Sequence, residues 1–296
     1  MLTEFDRRVA VITGAGSGFG REFARLGHQL GMRLALADVQ QDALDAVADE
    51  LRAAGAELIA ERVDVSVGAD VERLARRSRE AFGQVDLLFN NAGVGHGGLI
   101  WENSVADWQW VLGVNLWGVI HGLRAFVPGM LAQRTAGHVV NTASVAGLLS
   151  PPLMGIYNVS KHAVVAASET LYQDLKSVGA AIGCSVLCPA FVPTGIHASE
   201  RNRPDPGGDQ TPTESQQLAQ RNLERAVTAG RLGADAVAQI TFDAIRAGRF
   251  YVLSHPKILG SVRLRHEDIE LLRNPSDPYA YKPGVAAAPG SATDGR

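Results

Sequence analysis

The sequence predicts an α/β protein: a doubly wound parallel sheet of about seven strands with helices on both faces. Three observations carry that prediction. Strand-length apolar runs alternate with segments of helical spacing from Arg8 to Leu253. A glycine-rich loop joins the first strand to the first helix. Small and polar residues follow the ends of several strands, where ligands bind in sheets of this kind.

Each element has its own local reason. Arg8–Thr13 is a short buried strand, Gly14–Gly20 is the glycine loop, and Arg21–Leu30 is helical. Met32–Asp38 is apolar and ends in a carboxylate. Gln41–Ala54 carries apolar residues at 44, 47, 48 and 51, the spacing of one helix face. Ala56–Val65 is the third strand, Val67–Phe82 an Arg-rich amphipathic helix, and Val85–Phe89 the fourth strand, which runs into Asn90-Asn91-Ala92-Gly93. A long helical region from Ser104 to about Arg134 is expected to break near Gly129. Trp110 and Trp117, seven apart, are expected on one face of it, as core or subunit packing. His138–Ala143, Gly183–Pro189 and Phe250–Leu253 are the last three strands, with helices at Gly155–Gly179 and Ala234–Ala247. The polar segment His197–Gln217 carries three prolines and reads as a binding loop or lid. The expectation is therefore one domain over residues 1–282, with a substrate loop at 195–225 and a disordered Pro/Gly/Ala-rich tail at 283–296.

Composition excludes several classes. With 28 Lys and Arg against 31 Asp and Glu, the net charge of −3 gives no electrostatic footprint for nucleic acid or an anionic membrane. No unbroken apolar run reaches the roughly 18 residues of a membrane span, and Met1–Arg8 lacks a signal-peptide core. Cys184 and Cys188 on one strand would stand about 13 Å apart, too far for a disulfide. Two buried free thiols suit a reducing, cytoplasmic setting, and no further ligands complete a metal site.

The candidate site begins in the glycine loop. Gly14, Ser17, Gly18, Phe19 and Gly20 follow the first strand and open a helix. There, absent side chains let a pyrophosphate approach the backbone, and the helix N terminus supplies N–H donors. Asp38, 24 residues after Gly14, can accept both ribose hydroxyls of an adenosine and would repel a 2′-phosphate, which favours NAD over NADP. Asp64, Val65, Asn91, Ala92 and Gly93 lie at the next two strand ends, where adenine and its ribose would fall.

Ser144 follows the fifth strand, Tyr157 comes 13 residues later, and Lys161 is one helical turn further on. With 4 Lys and 5 Tyr in the chain, this triple arises by chance only about 0.004 times. Removing hydride from an alcohol carbon requires a base for the hydroxyl proton. A tyrosine must be lowered by about 2–3 units to serve, and an ammonium about 5 Å away supplies roughly 3 kcal/mol toward that. Lys161 is accordingly expected to lower Tyr157, while Ser144 holds the substrate oxygen.

These motifs resemble the short-chain dehydrogenase/reductase family over roughly Phe5 to Leu253. They are Thr13-Gly14-x-x-x-Gly18-x-Gly20, Asn90-Asn91-Ala92-Gly93, Ser144 and Tyr157-x-x-Ser160-Lys161. The resemblance implies a Rossmann-type sheet and adds Asn115 to Ser144, Tyr157 and Lys161 as the catalytic group. It assigns Asp64 and Val65 to the adenine pocket, with Pro189, Val192 and Thr194 toward the nicotinamide. It also implies a homotetramer or homodimer built on the long helices. Two departures stand out: Pro189-Ala190 where the family has Pro-Gly, and Phe19 where it has a small aliphatic residue. His96, Trp101, Val145 and Phe191 are candidate substrate contacts, with Leu148, Leu149, Pro151 and Ala190 nearby. This mainly apolar set points to a hydrophobic secondary alcohol or its ketone. An NADPH-dependent ketone or 3-oxoacyl reductase and a non-catalytic dinucleotide-binding sensor are the alternatives.

Overall fold

Val9–Thr13 (β1), Arg33–Asp38 (β2), Leu58–Arg62 (β3), Leu87–Asn90 (β4), Gly137–Thr142 (β5), Ile182–Cys188 (β6) and Tyr251–Leu253 (β7) pair in the order β3-β2-β1-β4-β5-β6-β7, all parallel. The computed structural model describes residues 2–204 and 211–279. The chain divides into two compact units, Met1–His255 and Pro256–Arg296. The first holds the whole sheet. Its architecture is the Rossmann-like α/β fold that the alternation predicts.

Central strands are buried on both faces, so they read as continuous apolar runs, and β1, β4 and β5 have no exposed residue. Successive side chains alternate between two cores. Ala10 and Ile12 join Leu34, Leu36, Leu87 and Phe89 under Gly18–Gln29 (α1), Gln41–Ala53 (α2) and Ala234–Arg246 (α8). Val9 and Val11 join Ala35, Leu88 and Val139 under Gly68–Phe82 (α3) and Gly118–Gln133 (α5). Gly155–Ser177 (α6) covers β6 on the second face through Val164 and Val165. Leaving β1, the chain crosses to β2 on one side and later to β4 on the other. The carboxyl ends of β1 and β4 therefore flank the crevice where sheets of this topology bind ligands.

Four details differ from the sequence expectations. The long helix does not break at Gly129: α5 runs through Pro128 and Gly129 to Gln133. Its irregularity is a π turn at Gly113–Trp117, joining Val105–Leu112 (α4) to α5. That wider turn shifts the phase of the helix, so Trp110 is buried while Trp117 is half exposed, and the two do not share a face. The whole stretch Val105–Gln133 is long and apolar enough to cross a membrane by length and composition, although no unbroken apolar run suggested it. Val111, Val119, Phe126 and Met130 from this stretch lie in the core.

The described residues of the 195–225 segment are largely helical. Gly195–Asn202 forms 3-10 turns, and Glu214–Thr228 (α7) starts from a capping box in which Thr213 and Gln216 exchange side-chain and backbone bonds. That Thr-x-x-Gln signal is present in the sequence and outweighs the polar, proline-rich composition beside it. The second unit contains Leu259–Glu270 (α9), and the Asp268 carboxylate accepts bonds from Arg273 and the Ser276 N–H. The proposed tail at 283–296 lies outside the described residues.

Asp86 ties the start of β1 to β4. Its fully buried carboxylate accepts from Val9 N–H at 2.8 Å, Arg8 Nη1 at 3.0 Å and Gln84 Nε2 at 2.9 Å. Asp86→Ala leaves a buried strand N–H and a guanidinium without that partner. It should cost about 2–3 kcal/mol, read as a lower urea midpoint at unchanged m-value.

Candidate active site

The first wall of the site is the glycine loop. Gly18 has φ of +52°, a backbone that L side chains rarely adopt, and it turns the chain into α1. Gly20 has no room for a side chain, because a Cβ there would lie 2.0 Å from the Gly14 carbonyl oxygen. Ser17 sits at the N-cap of α1, and Phe19 packs toward the core beside Phe23. The Asp38 carboxylate closes the far side. Its Oδ2 accepts from Gly16 N–H and its Oδ1 from Gln40 N–H, both at 2.9 Å. Asp38 thus reaches the glycine loop and the turn into α2 at once.

The second wall is the loop after β4. Asn91 Nδ2 donates to the Thr13 carbonyl at 3.0 Å, and Thr13 Oγ1 accepts from the N–H groups of Asn91 and Ala92. Thr142 Oγ1, at the end of β5, donates to Asn91 Oδ1 at 3.2 Å. Asp64 is held by Ser66, whose N–H and hydroxyl both donate to Oδ1. Val65 is buried, and its carbonyl accepts from His121 Nδ1 at 2.9 Å.

Four residues from three segments of the chain converge beside these walls. Asn115 projects from the π turn, where the wider spacing sets it facing the β4 loop. Its Oδ1 accepts from Val94 N–H at 2.8 Å, and its Nδ2 donates to the Val94 carbonyl at 3.0 Å and to Ser160 Oγ at 3.1 Å. Ser144, in extended backbone after β5, accepts from Ala146 N–H and donates to the Pro189 carbonyl at 3.4 Å. Tyr157 and Lys161 occupy consecutive turns of α6. Lys161 Nζ donates to the Thr142 carbonyl at 2.9 Å and lies 5.6 Å from the centre of the Tyr157 ring. Gly93 lies against both groups: a Cβ on it would be 3.4 Å from Asn115 Oδ1 and 3.5 Å from Lys161 Nζ.

Electrostatics here differ from the simple expectation that Lys161 lowers Tyr157. Burial dominates both groups. It pushes the Tyr157 phenol up to about 12, partly offset by the Ser144 hydroxyl beside it. It pushes the Lys161 ammonium down to about 8. The chain by itself therefore holds Tyr157 protonated, as a proton donor, next to an ammonium that titrates near 8.

The segment after β6 completes the cleft. Val192 is buried in the core, and Pro189 accepts from Val145 N–H as well as from Ser144. Thr194 packs on the glycine loop, where a Cβ on Gly18 would lie 3.2 Å from its Cβ. Between them opens a cavity of about 310 Å³ lined by Ser17, Gly18, Arg21, Thr194, Gly195 and His197 among others. Of the candidate substrate contacts, Val145 borders Ser144 and is half-buried, while Phe191 is more open at 37% exposure. Trp101 is 76% exposed.

His96 belongs to a cluster that the sequence did not reveal. It faces Glu200 at 3.2 Å and Asp107 at 3.7 Å, while Arg203 pairs with Asp107 and Glu200 and stacks over Trp110. Residues about 100 apart in the chain meet there. Thr13 and Ser160 were also missed as supports, although both sit inside the quoted motifs.

Comparisons with known proteins place the chain in a family. The family model for short chain dehydrogenases matches residues 8–205. The chain is 34% identical over 260 residues to a "CLA biosynthesis dehydrogenase/reductase" of Lactiplantibacillus plantarum, covering 86% of this chain and 91% of that one. It is 32% identical over 273 residues to the 1-deoxy-11-beta-hydroxypentalenate dehydrogenase of Streptomyces exfoliatus, covering 92% and 90%. A short chain dehydrogenase/reductase from Burkholderia phymatum, crystallised in complex with NAD, superposes with a TM-score of 0.93 at 63% identity, covering 95% of this chain and all of that one. The chain belongs to the short-chain dehydrogenase/reductase family of oxidoreductases.

Lys161 generates a pH-dependent stability that can be measured. Its folded-state value lies below the ordinary 10.5, so between pH 8 and 10.5 the unfolded chain binds more protons and stability rises with pH. Below pH 8 the cost of the buried ammonium is fully present. Tyr157 stays protonated in both states below pH 10 and does not change over this window. The stability difference between Lys161→Met and the parent should therefore move by about 2–3 kcal/mol against the variant from pH 7 to pH 10, measured by urea unfolding at each pH.

Proposed function

We propose that the protein is an NAD-dependent oxidoreductase that interconverts a hydrophobic secondary alcohol and its ketone, with Tyr157 moving the proton. The observation that carries this reading is the meeting of Asn115, Ser144, Tyr157 and Lys161 at the carboxyl end of the sheet, directly beside the glycine-loop groove. The groove suits a dinucleotide. It is a cradle that side chains would fill, since a Cβ on Gly16 would come within 3.0 Å of Asp38 Oδ2. Gly14, Ser17, Gly18, Phe19 and Gly20 would hold the diphosphate, Asp38 the adenosine ribose, and Asp64, Val65, Asn91, Ala92 and Gly93 the adenine side. Pro189, Val192 and Thr194, with Tyr157 and Lys161, would hold the nicotinamide end. The bound nicotinamide supplies the hydride or takes it up.

The protein's own groups handle the oxygen. Ser144 and Tyr157 present hydroxyls to one point, and an oxygen held there is fixed at the distance that proton exchange requires. In the reductive direction Tyr157, held protonated by burial, gives its proton to the carbonyl oxygen as it gains negative charge. In the oxidative direction that proton must first leave, and the ammonium of Lys161 favours the resulting phenolate. Asn115 positions rather than reacts, since its amide holds the Val94 backbone and the Ser160 hydroxyl. Val145 and Phe191, with His96 at the edge, would receive the apolar body of the substrate. The long helices α5 and α6 would join copies of the chain into a dimer or tetramer.

Two measurements test the reading. Tyr157→Phe should lower kcat for NADH formation from a panel of cyclic, aryl and aliphatic secondary alcohols by about a thousandfold, with NADH affinity within about twofold of the parent. Appreciable remaining turnover would remove Tyr157 from the mechanism. Asp38→Ala should lower the kcat/KM ratio of NAD over NADP by one to two orders of magnitude, roughly the repulsion of a 2′-phosphate at 4–5 Å. An unchanged ratio would take that role from Asp38.

A further inference from the structure

The groove beside Asp38 is spanned by a residue that belongs to none of the motifs. Arg201 lies in the 3-10 segment Gly195–Asn202. Its Nε donates to Gln40 Oε1 at 3.2 Å, a contact across 161 residues. Gln40 in turn donates its backbone N–H to Asp38 Oδ1, and Asp38 Oδ2 accepts from Gly16. At the other end, Nη1 donates to the carbonyls of Gly195 and Ala198 at 2.8 and 2.7 Å. A Cβ on Gly195 would lie 3.0 Å from Nη2, and Gly195 follows Thr194, which packs on Gly18. The side chain therefore reaches from the Thr194 flank of the glycine loop to its Asp38 flank. Among the described residues no carboxylate lies within ion-pair distance of it, whereas its neighbours Glu200 and Arg203 are engaged with His96 and Asp107.

We propose that Arg201 is a binding residue for the cofactor, its guanidinium pairing with the diphosphate and fastening the segment after β6 across the groove. The inference rests on the reading that the groove holds NAD(H). A dinucleotide with its adenosine ribose at Asp38 and its diphosphate at the N terminus of α1 runs between the two flanks that Arg201 joins. With Nε and Nη1 held by Gln40 and by the Gly195 and Ala198 carbonyls, the guanidinium brings its positive charge to where the diphosphate carries two negative ones. Because the cation contacts phosphate, the gain is the same for NADH and for any ligand that carries the diphosphate. It is absent for adenosine alone. A plain capping role, with Nη1 serving only its own segment's carbonyls, makes the opposite demand: the fork would matter and the charge would not.

The experiment compares the parent, Arg201→Ala and Arg201→Lys in the full chain by NADH fluorescence titration, with ADP-ribose and adenosine as displacing probes. Arg201→Ala should weaken NADH and ADP-ribose by about tenfold and leave adenosine unchanged, which also shows that the variant is folded. Arg201→Lys should recover part of the loss, since it keeps the charge. Unchanged ADP-ribose affinity in Arg201→Ala overturns the proposal. So does a parallel loss for adenosine, or a lysine variant as weak as the alanine one. A parent chain that binds neither NADH nor ADP-ribose overturns the dinucleotide reading itself, an outcome distinct from these.

Discussion

The Thr13–Asn91 pair holds together the two strand ends on which the rest of the site is built. Thr13 ends β1 and Asn91 follows β4, the strands on either side of the point where the strand order reverses. One hydroxyl accepts two backbone N–H groups and donates to the Phe89 carbonyl, while the Asn91 amide returns a bond to the Thr13 carbonyl. Thr142 ties β5 into the same knot. These strand ends have no further ladder partner, so side chains must satisfy their buried backbone groups. Doing so sets the separation between the glycine loop and the β4 loop. Hydrogen bonds at the strand termini thus act directly on the cleft width.

A similar device operates one layer out. Asn115 treats the Val94 backbone as a strand partner would, accepting from its N–H and donating to its carbonyl. A regular helix would leave a polar amide there among Val94, Val111 and Ile156 without that geometry. The π turn provides it at the cost of one less favourable helical turn. With its Oδ1 bonded to the Val94 N–H and its Nδ2 donating twice, Asn115 anchors the loop after β4 where it faces Lys161. Anchoring matters because hydride and proton transfer depend on distances fixed within a fraction of an ångström.

Burial of the Tyr157–Lys161 pair gives the site its chemical bias. Each group is driven toward its neutral form, the phenol upward and the ammonium downward. Without further charge the pair rests as a protonated tyrosine beside an amine whose titration falls near neutrality. The expectation drawn from a single ammonium about 5 Å away omitted this desolvation, which is the larger effect when both partners are buried. Any positive charge entering the groove would favour release of the tyrosine proton, so the direction of proton flow is coupled to what the groove holds.

The sequence by itself determined the alternation of strands and helices, the position of the glycine loop, and the Ser144–Tyr157–Lys161 spacing. These are local facts: period, loop glycines and an i to i+4 step all lie within a few residues of one another. The π turn was not legible, because no residue type marks it; it is a response to the partner that Asn115 meets. Helix α7 was legible in its capping box but was overshadowed by a polar, proline-bearing stretch. The His96–Asp107–Glu200–Arg203 cluster and the reach of Arg201 to Gln40 could not be read at all. Polar groups about 100 and 161 residues apart carry no mutual signature in the chain. Tertiary structure alone decided which polar residues share a low-dielectric space, and with it the direction of every pKa shift at the site, because burial and pair distance exist only once the chain has folded.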